Sequence, residues 1–232
     1  MTDYFVPRLY VAGHVKAFEQ KAAALGLRKT VYHPGETLTT PGVINNTAHY
    51  ICSGVVLLSL IHSSGSMKSI MFFGPKTVFP LGVAPHENLI DYEMVLKAIT
   101  DVTVYSFSYP VLRQLCVEDG EFAAQLLEEN CKMIGYLFYQ EMNQTFMPTE
   151  IRVCDVLYLF VTSMEPDRTT IPMRQDELAS LVGISCPQLE RILKDLRGKG
   201  VIQTARGKIT IPDLARLRAL CSTELMENEY AP

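Results

Sequence analysis

The stretch "MRQDELASLVGISCPQLERILKDL", Met173 to Leu196, decides the fold. Counted from Gln175, a small residue falls at Ala179, where two helices must approach closely, and a glycine falls at Gly183, where a left-handed turn is needed. Leu178, Val182, Ile184, Leu189 and Ile192 supply the apolar wedge between the helices. The spacing predicts a helix-turn-helix. Ser185 is expected to cap the second helix, and Pro187 suits its first turn because the missing N–H has no intrahelical partner there. A second helix of this kind reads bases in the major groove. This one begins with Cys186-Pro187, where long polar side chains would serve that purpose better.

Downstream, a Gly-Lys-Gly turn at Gly198 to Gly200 leads to two expected short strands, Val201-Ile202 and Lys208 to Ile211, with "TARG", Thr204 to Gly207, as a compact wing. Between Arg191 and Arg218 stand Arg191, Lys194, Arg197, Lys199, Arg206, Lys208, Arg216 and Arg218, against only Asp195 and Asp213. Beside a helix-turn-helix and a wing, such a stripe supplies phosphate neutralisation. The net charge of −4 conceals it.

Upstream, Thr149 is expected to cap a helix through Ile151, Val153, Val156, Leu157, Phe160 and Val161, which "EPDR", Glu165 to Arg168, breaks. Before Pro148 lies a longer helix, from about Gly120 to Met147. Leu127, Cys131, Ile134 and Phe138 recur there at intervals of four, three and four, forming a seam that wants a partner. Met133, Leu137 and Met142 lie off that seam, so more than one face has to be buried, and a helix-mediated dimer is expected. From about Leu27 to Tyr109 the pattern changes to short apolar runs cut by Pro-Gly, Ser-Gly and Gly-Pro, the signature of an all-β sandwich or barrel. Val55 to Ile61, the tip Ser63 to Ser66 and Lys68 to Phe73 read as a hairpin.

The chain of 232 residues has room for two modest domains. No run approaches the roughly 18 apolar residues of a membrane span, and the first residues lack the plan of a signal peptide, so a cytoplasmic protein is expected. The cysteines Cys52, Cys116, Cys131, Cys154, Cys186 and Cys221 are scattered, with no C-x-x-C pair and no histidine at a zinc-ligand interval. They read as separate reduced thiols, with Cys186 kept open as a redox group. An enzyme is disfavoured: there is no Gly-rich phosphate loop, no G-x-S-x-G, no metal set and no framed carboxylate pair. Neither a catalytic residue, a cofactor nor a metal is expected.

Taken together, "HPGETL", "YICSGVVLLSL", "FFGPKTVFPLG", "AITDVTVYSFSYPVLRQL" and the stretch from Met173 to Leu214 resemble the CRP/FNR superfamily of bacterial transcription regulators over nearly the whole chain. The resemblance implies an α+β protein in three parts. Residues 1–119 would form an effector-sensing, cyclic-nucleotide-binding-like β-roll (a double-stranded jelly roll), 120–147 a dimerisation helix, and 148–232 a winged helix-turn-helix. It implies a homodimer on double-stranded DNA, with half-sites of a palindrome about 34–36 Å apart, and RNA polymerase as a further partner if the protein activates. The DNA-binding residues would be Ser185, Cys186, Gln188, Arg191, Lys194, Arg206 and Lys208; the dimer interface, Leu127, Cys131, Ile134 and Phe138. The arginine and glutamate that open many of the family's recognition helices fall on Cys186 and Pro187, whereas its later arginine falls on Arg191, which can address guanine. A different operator is implied.

The family's cyclic-nucleotide ligands fare worse. Its Gly-Glu pair falls within Phe79-Pro80-Leu81, its Arg-Ser pair on or near Tyr92-Glu93, and its Thr-Ser pair near Leu137-Phe138. A phosphate would meet Glu93 in place of arginine, so cyclic AMP is not expected to bind. The FNR branch's N-terminal cysteines are absent, and His62 and His86 read as surface or loop residues. An effector site formed by Phe79, Leu81, Tyr92, Glu93, Tyr136, Leu137 and Phe138 would suit a small aromatic or hydrophobic molecule. Within the family the chain is similar to the halogenated-phenol-responsive regulators of organohalide respiration in "FFGP", "EMN" and "PTEIR", which implies Lys132 or Lys68 beside a phenolate. The alternatives are a ligand-independent regulator and one that senses redox state through a cysteine.

Overall fold

A computed structural model describes residues 9–13, 15, 18–40, 45–81, 92–164, 169–171, 173–223 and 225. The chain divides into two compact units, Val11–Cys131 and a second made of Met1–Tyr10 with Lys132–Pro232. The boundary falls inside the long helix that the sequence sets apart as a region of its own.

The first unit is built from β1 (Tyr10–Val11), α1 (Phe18–Ala24), β2 (Lys29–Tyr32), β3 (Thr47–Ser53), β4 (Val56–His62), β5 (Met67–Phe73), β6 (Val78–Phe79), β7 (Tyr92–Ala98), β8 (Val102–Ser108), α2 (Tyr109–Glu118) and the start of α3 (Gly120–Phe146). Two four-stranded sheets result, in the orders β1-β5-β4-β7 and β2-β8-β3-β6. The expected hairpin is β4–β5, antiparallel from Val56↔Phe73 to Ile61↔Met67, with a register shift at Leu58/Ser59. Gly54, between β3 and β4, has φ +89°, and a Cβ there would stand 2.2 Å from the Asp101 carbonyl oxygen, so glycine is obligatory.

One face of the second sheet packs on α1, α2 and the start of α3. Phe18 is fully buried and stacks on Tyr50 at 4.3 Å between ring centroids, with Phe107 and Phe122 around it. Truncating such a side chain to alanine typically costs about 3–5 kcal/mol. Asp119 starts α3 by accepting the Phe122 N–H at 3.0 Å, and the Lys21 ammonium beside it holds its carboxyl below the usual range.

The second unit continues α3 and adds α4 (Thr149–Met164), β9 (Thr170–Ile171), α5 (Gln175–Val182), α6 (Cys186–Gly198), β10 (Gln203–Ala205), β11 (Lys208–Thr210) and α7 (Leu214–Arg218). Every residue of α4 from Val153 to Val161 is buried, the mark of a helix at the centre of its domain. Asp155, on that helix, is a buried carboxylate that accepts from the Tyr139 hydroxyl (3.0 Å), Asn143 Nδ2 (3.3 Å) and the Ser222 N–H (2.8 Å). The end of α3, the middle of α4 and the segment after α7 are thereby joined. Burial pushes the Asp155 carboxyl up despite these donors.

Three local expectations are corrected. Thr149 is the first residue of α4, not a cap ahead of it. The first wing strand is Gln203–Ala205, because Val201 and Ile202 turn their side chains into the core before pairing begins. Thr204 and Ala205 therefore belong to a strand, and Arg206-Gly207 alone make the tip. The wing sheet also has a third strand, β9, paired through Ile209↔Ile171 and Thr210↔Thr170. The break at Glu165–Arg168 lies outside the described residues. No helix among the described residues is long and apolar enough to cross a membrane.

Candidate nucleic-acid interface

The helix-turn-helix forms as its spacing predicts. At the start of α5 the Arg174 N–H donates to Glu177 Oε2 at 3.2 Å, and at its end Gly183 takes the left-handed conformation (φ 76°, ψ 47°). The Gly183 and Ile184 N–H groups both return to the Ala179 carbonyl, and Ala179 is buried where the helices meet. Ser185 caps α6 by accepting the Gln188 N–H at 3.4 Å, and Pro187 occupies the first turn. Leu189, Ile192, Leu193 and Leu196 are buried, which leaves Cys186, Pro187, Glu190, Arg191 and Lys194 exposed along the other side of α6.

Charge is distributed unevenly along the basic stripe. Lys199 is paired with Asp195 at 2.6 Å, Arg216 with Asp213 at 3.6 Å, and Arg197 Nη1 donates to Thr204 Oγ1 at 3.1 Å, tying α6 to the wing. Arg191, Lys194, Arg206 and Lys208 are exposed and carry no ion pair among the described residues. These four cations, two on α6 and two on the wing, are the ones the sequence assigns to DNA. Between the wing and the start of α5 runs a groove of about 240 Å³ lined by Arg174, Asp176, Arg206 and Lys208 among others. Arg174 is forked onto Asp176 at 2.8 and 2.9 Å, so its charge is already answered.

Gln188 is less available than the sequence suggests: it is half-buried, and its amide lies 3.5 Å from Thr149 Oγ1. Glu190 was overlooked. It shares the exposed face with Arg191, where a carboxylate can accept from cytosine N4. The signal in the sequence is its helical position beside Arg191.

The expected dimer residues lie open along α3: Leu127 is 64% exposed, Ile134 46% and Phe138 69%, and Cys131 is also exposed. The residues expected to bind an effector fall in both units. In the first, Phe79 is buried and stacks on Phe73 at 4.2 Å, Leu81 is half-buried, and Glu93 is half-buried on β7; the side chain of Tyr92 lies outside the described residues. In the second, Tyr136 is fully buried with its hydroxyl accepting from Gln140 at 2.7 Å, whereas Leu137 and Phe138 face outward. Burial pushes the Tyr136 phenol well above its usual range. His62 is a surface residue that bonds Ser64 in the hairpin tip; His86 lies outside the described residues.

Residues 151–220 match the Crp-like helix-turn-helix domain. That stretch is thus a helix-turn-helix domain of the Crp-like family, and the chain as a whole shares its fold with structures described as CRP/FNR-family regulators. It is similar to the transcriptional regulator SdrP of Thermus thermophilus, 23% identical over 202 residues, covering 85% of this chain and 96% of that one. Solved structures share the fold, FixK2 and CprK among them. FixK2 from Bradyrhizobium japonicum has a TM-score of 0.68 at 16% identity and covers 85% of this chain and 98% of its own. CprK, described as complexed with OCPA, has a TM-score of 0.65 at 15% identity and covers 91% and 99%.

Proposed function

We propose that this regulator binds a palindromic operator as a homodimer paired through α3, under the control of a small aromatic or hydrophobic molecule that is not cyclic AMP. The observation that carries the DNA half is the set of four cations on α6 and the wing that carry no ion pair among the described residues. They suit the approach of one helix to the major groove with the wing on the flanking phosphates. Pairing is supported by the open apolar seam Leu127, Cys131, Ile134 and Phe138, which a protomer alone leaves in water.

Within α6, Arg191 is the base reader, Glu190 and Gln188 are secondary readers, and Lys194, Arg206 and Lys208 neutralise phosphate. Ser185 and Cys186 present the helix start to the backbone. The effector reading is supported by Glu93, a carboxylate where a phosphate ligand would need a cation, and by the likeness to a regulator described in complex with a ligand. Cys186, exposed in the first turn of α6, favours a second reading in which oxidation controls binding.

Selection from a randomised operator library, followed by sedimentation of the complex, tests the proposal. A palindromic consensus bound by two protomers is expected; a non-palindromic consensus bound by one defeats it. Micromolar affinity for cyclic AMP in calorimetry would defeat the effector half.

A further inference from the structure

Outside the DNA-binding face, the first unit holds a buried histidine with an unmet ring nitrogen among the described residues. His49 on β3 is 3% exposed, and its Nε2 meets no hydrogen-bond partner among the described residues. Its other nitrogen, Nδ1, lies 2.9 Å from Ser106 Oγ on β8. The strand register pairs His49 with Ser106 on one side and with Phe79 on the other, so these three side chains share a face of the sheet. The next pair along, Tyr50 with Val78, belongs to the aromatic core on the opposite face. Phe79 in turn stacks on Phe73 of the other sheet. An imidazole nitrogen thus ends without a partner among the described residues, on the face of the sheet where Phe79 stacks on Phe73. Native proteins seldom leave a buried polar atom unmet, and an apolar wall with one convergent polar group is the make-up of a small-molecule site.

We propose that His49 is the hydrogen-bonding anchor of the effector, a small aromatic molecule with an acidic oxygen, such as a phenol or a benzoate. This rests on the reading that the β-domain senses a small aromatic molecule, and adds the residue that holds it. In the tautomer in which the Ser106 hydroxyl donates to Nδ1, the ring proton stands on Nε2 and can donate to the ligand oxygen, while Phe79 offers the ring a surface. Burial lowers the imidazole to about 4, so the donor is a neutral N–H at pH 7. A neutral donor among aromatic rings suits one oxygen on an apolar body better than a phosphate.

The test uses the full-length protein with ¹⁵N-labelled histidine, titrated with phenol, benzoate, toluene (a ring without the oxygen) and acetate (the oxygen without a ring). Affinity is followed by calorimetry and the His49 Nε2 resonance by NMR. Phenol or benzoate should bind and shift that resonance, toluene and acetate should bind at least tenfold more weakly, and His49→Phe should lose at least tenfold in affinity. Equal affinity in wild type and His49→Phe overturns the anchor and leaves the aromatic-effector reading standing. No binding of either acid to the wild type overturns both. Should His49→Phe fail to fold, the wild-type resonance decides: an unmoved Nε2 signal at saturation, as an internal water on that atom would give, overturns the anchor.

Discussion

The two units place their chemistry in opposite ways. In the DNA-binding unit the turn, the cap, the wedge and the proposed base reader all lie between Arg174 and Lys194, on two successive helices. In the β-domain, His49, Ser106 and Phe79 come from three separate strands and meet only through register. The first kind of site is written along the chain, and the second exists only once the sheet has formed. A mutation in the first should therefore act locally, whereas one in the second should be felt by the fold as well as by the ligand.

The largest expected effect falls on α3, whose apolar seam is completed by neither unit. Ile134→Glu would bury an unpaired carboxylate in the proposed homodimer, at a cost of several kcal/mol. Sedimentation should show monomers at low micromolar concentration with circular dichroism unchanged. A dimer that persists would mean the seam is covered in some other way.

Next comes acid stability, which sharpens the contrast between the units. The buried His49 imidazole has its pKa lowered from 6.5 to about 4, so between those values the unfolded chain binds the proton that the folded one refuses. Stability rises with pH wherever the unfolded state holds more protons. The contribution is complete above about pH 6.5 and is lost progressively down to pH 4, by about 3 kcal/mol at 1.36 kcal/mol per unit. Chemical denaturation across that window should show the loss in wild type and a flatter profile in His49→Phe. A wild-type profile already flat would mean that the ring is not buried in solution.

The same contrast explains what could be read from the sequence. Gly183, Ala179 and Ser185 act on neighbours within a few residues, so their roles were legible, as were the β4–β5 hairpin and α3. Val201 and Ile202 misled because β-branched residues before a turn look like a strand, whereas here they fill the core ahead of it. Strand β9 was invisible, being two residues long and paired with a strand far along the chain. His49 was passed over for the same reason: in "TAHYICS" nothing distinguishes the face it shares with Phe79 from the face of Tyr50.

Smaller, and confined to the DNA-binding unit, is the loss of the proposed base reader. Arg191 is exposed, bears no ion pair among the described residues, and projects from the side of α6 opposite its buried leucines. Arg191→Ala should cost about 1–3 kcal/mol per half-site and relax the preference at one symmetric base pair. An operator selection that returns an unchanged consensus would move the readout to Glu190 or Gln188.

The smallest effect expected is that of Lys208→Ala, and its form matters more than its size. Lys208 opens β11 at the wing tip, opposite Ala205, with Arg206 in the turn beside it. In the proposed complex such a tip meets a phosphate and not a base edge, and its ammonium would release one condensed counterion. Removing it should weaken binding to every sequence alike and flatten the plot of log affinity against log salt by about one unit. Arg191→Ala, by contrast, should change the consensus as well as the affinity. Titrations of matched and mismatched operators across a salt series separate the two. A Lys208→Ala protein with an unchanged salt slope, or with a loss confined to the matched operator, would show that the wing reads sequence and that the division of labour between helix and wing is drawn in the wrong place.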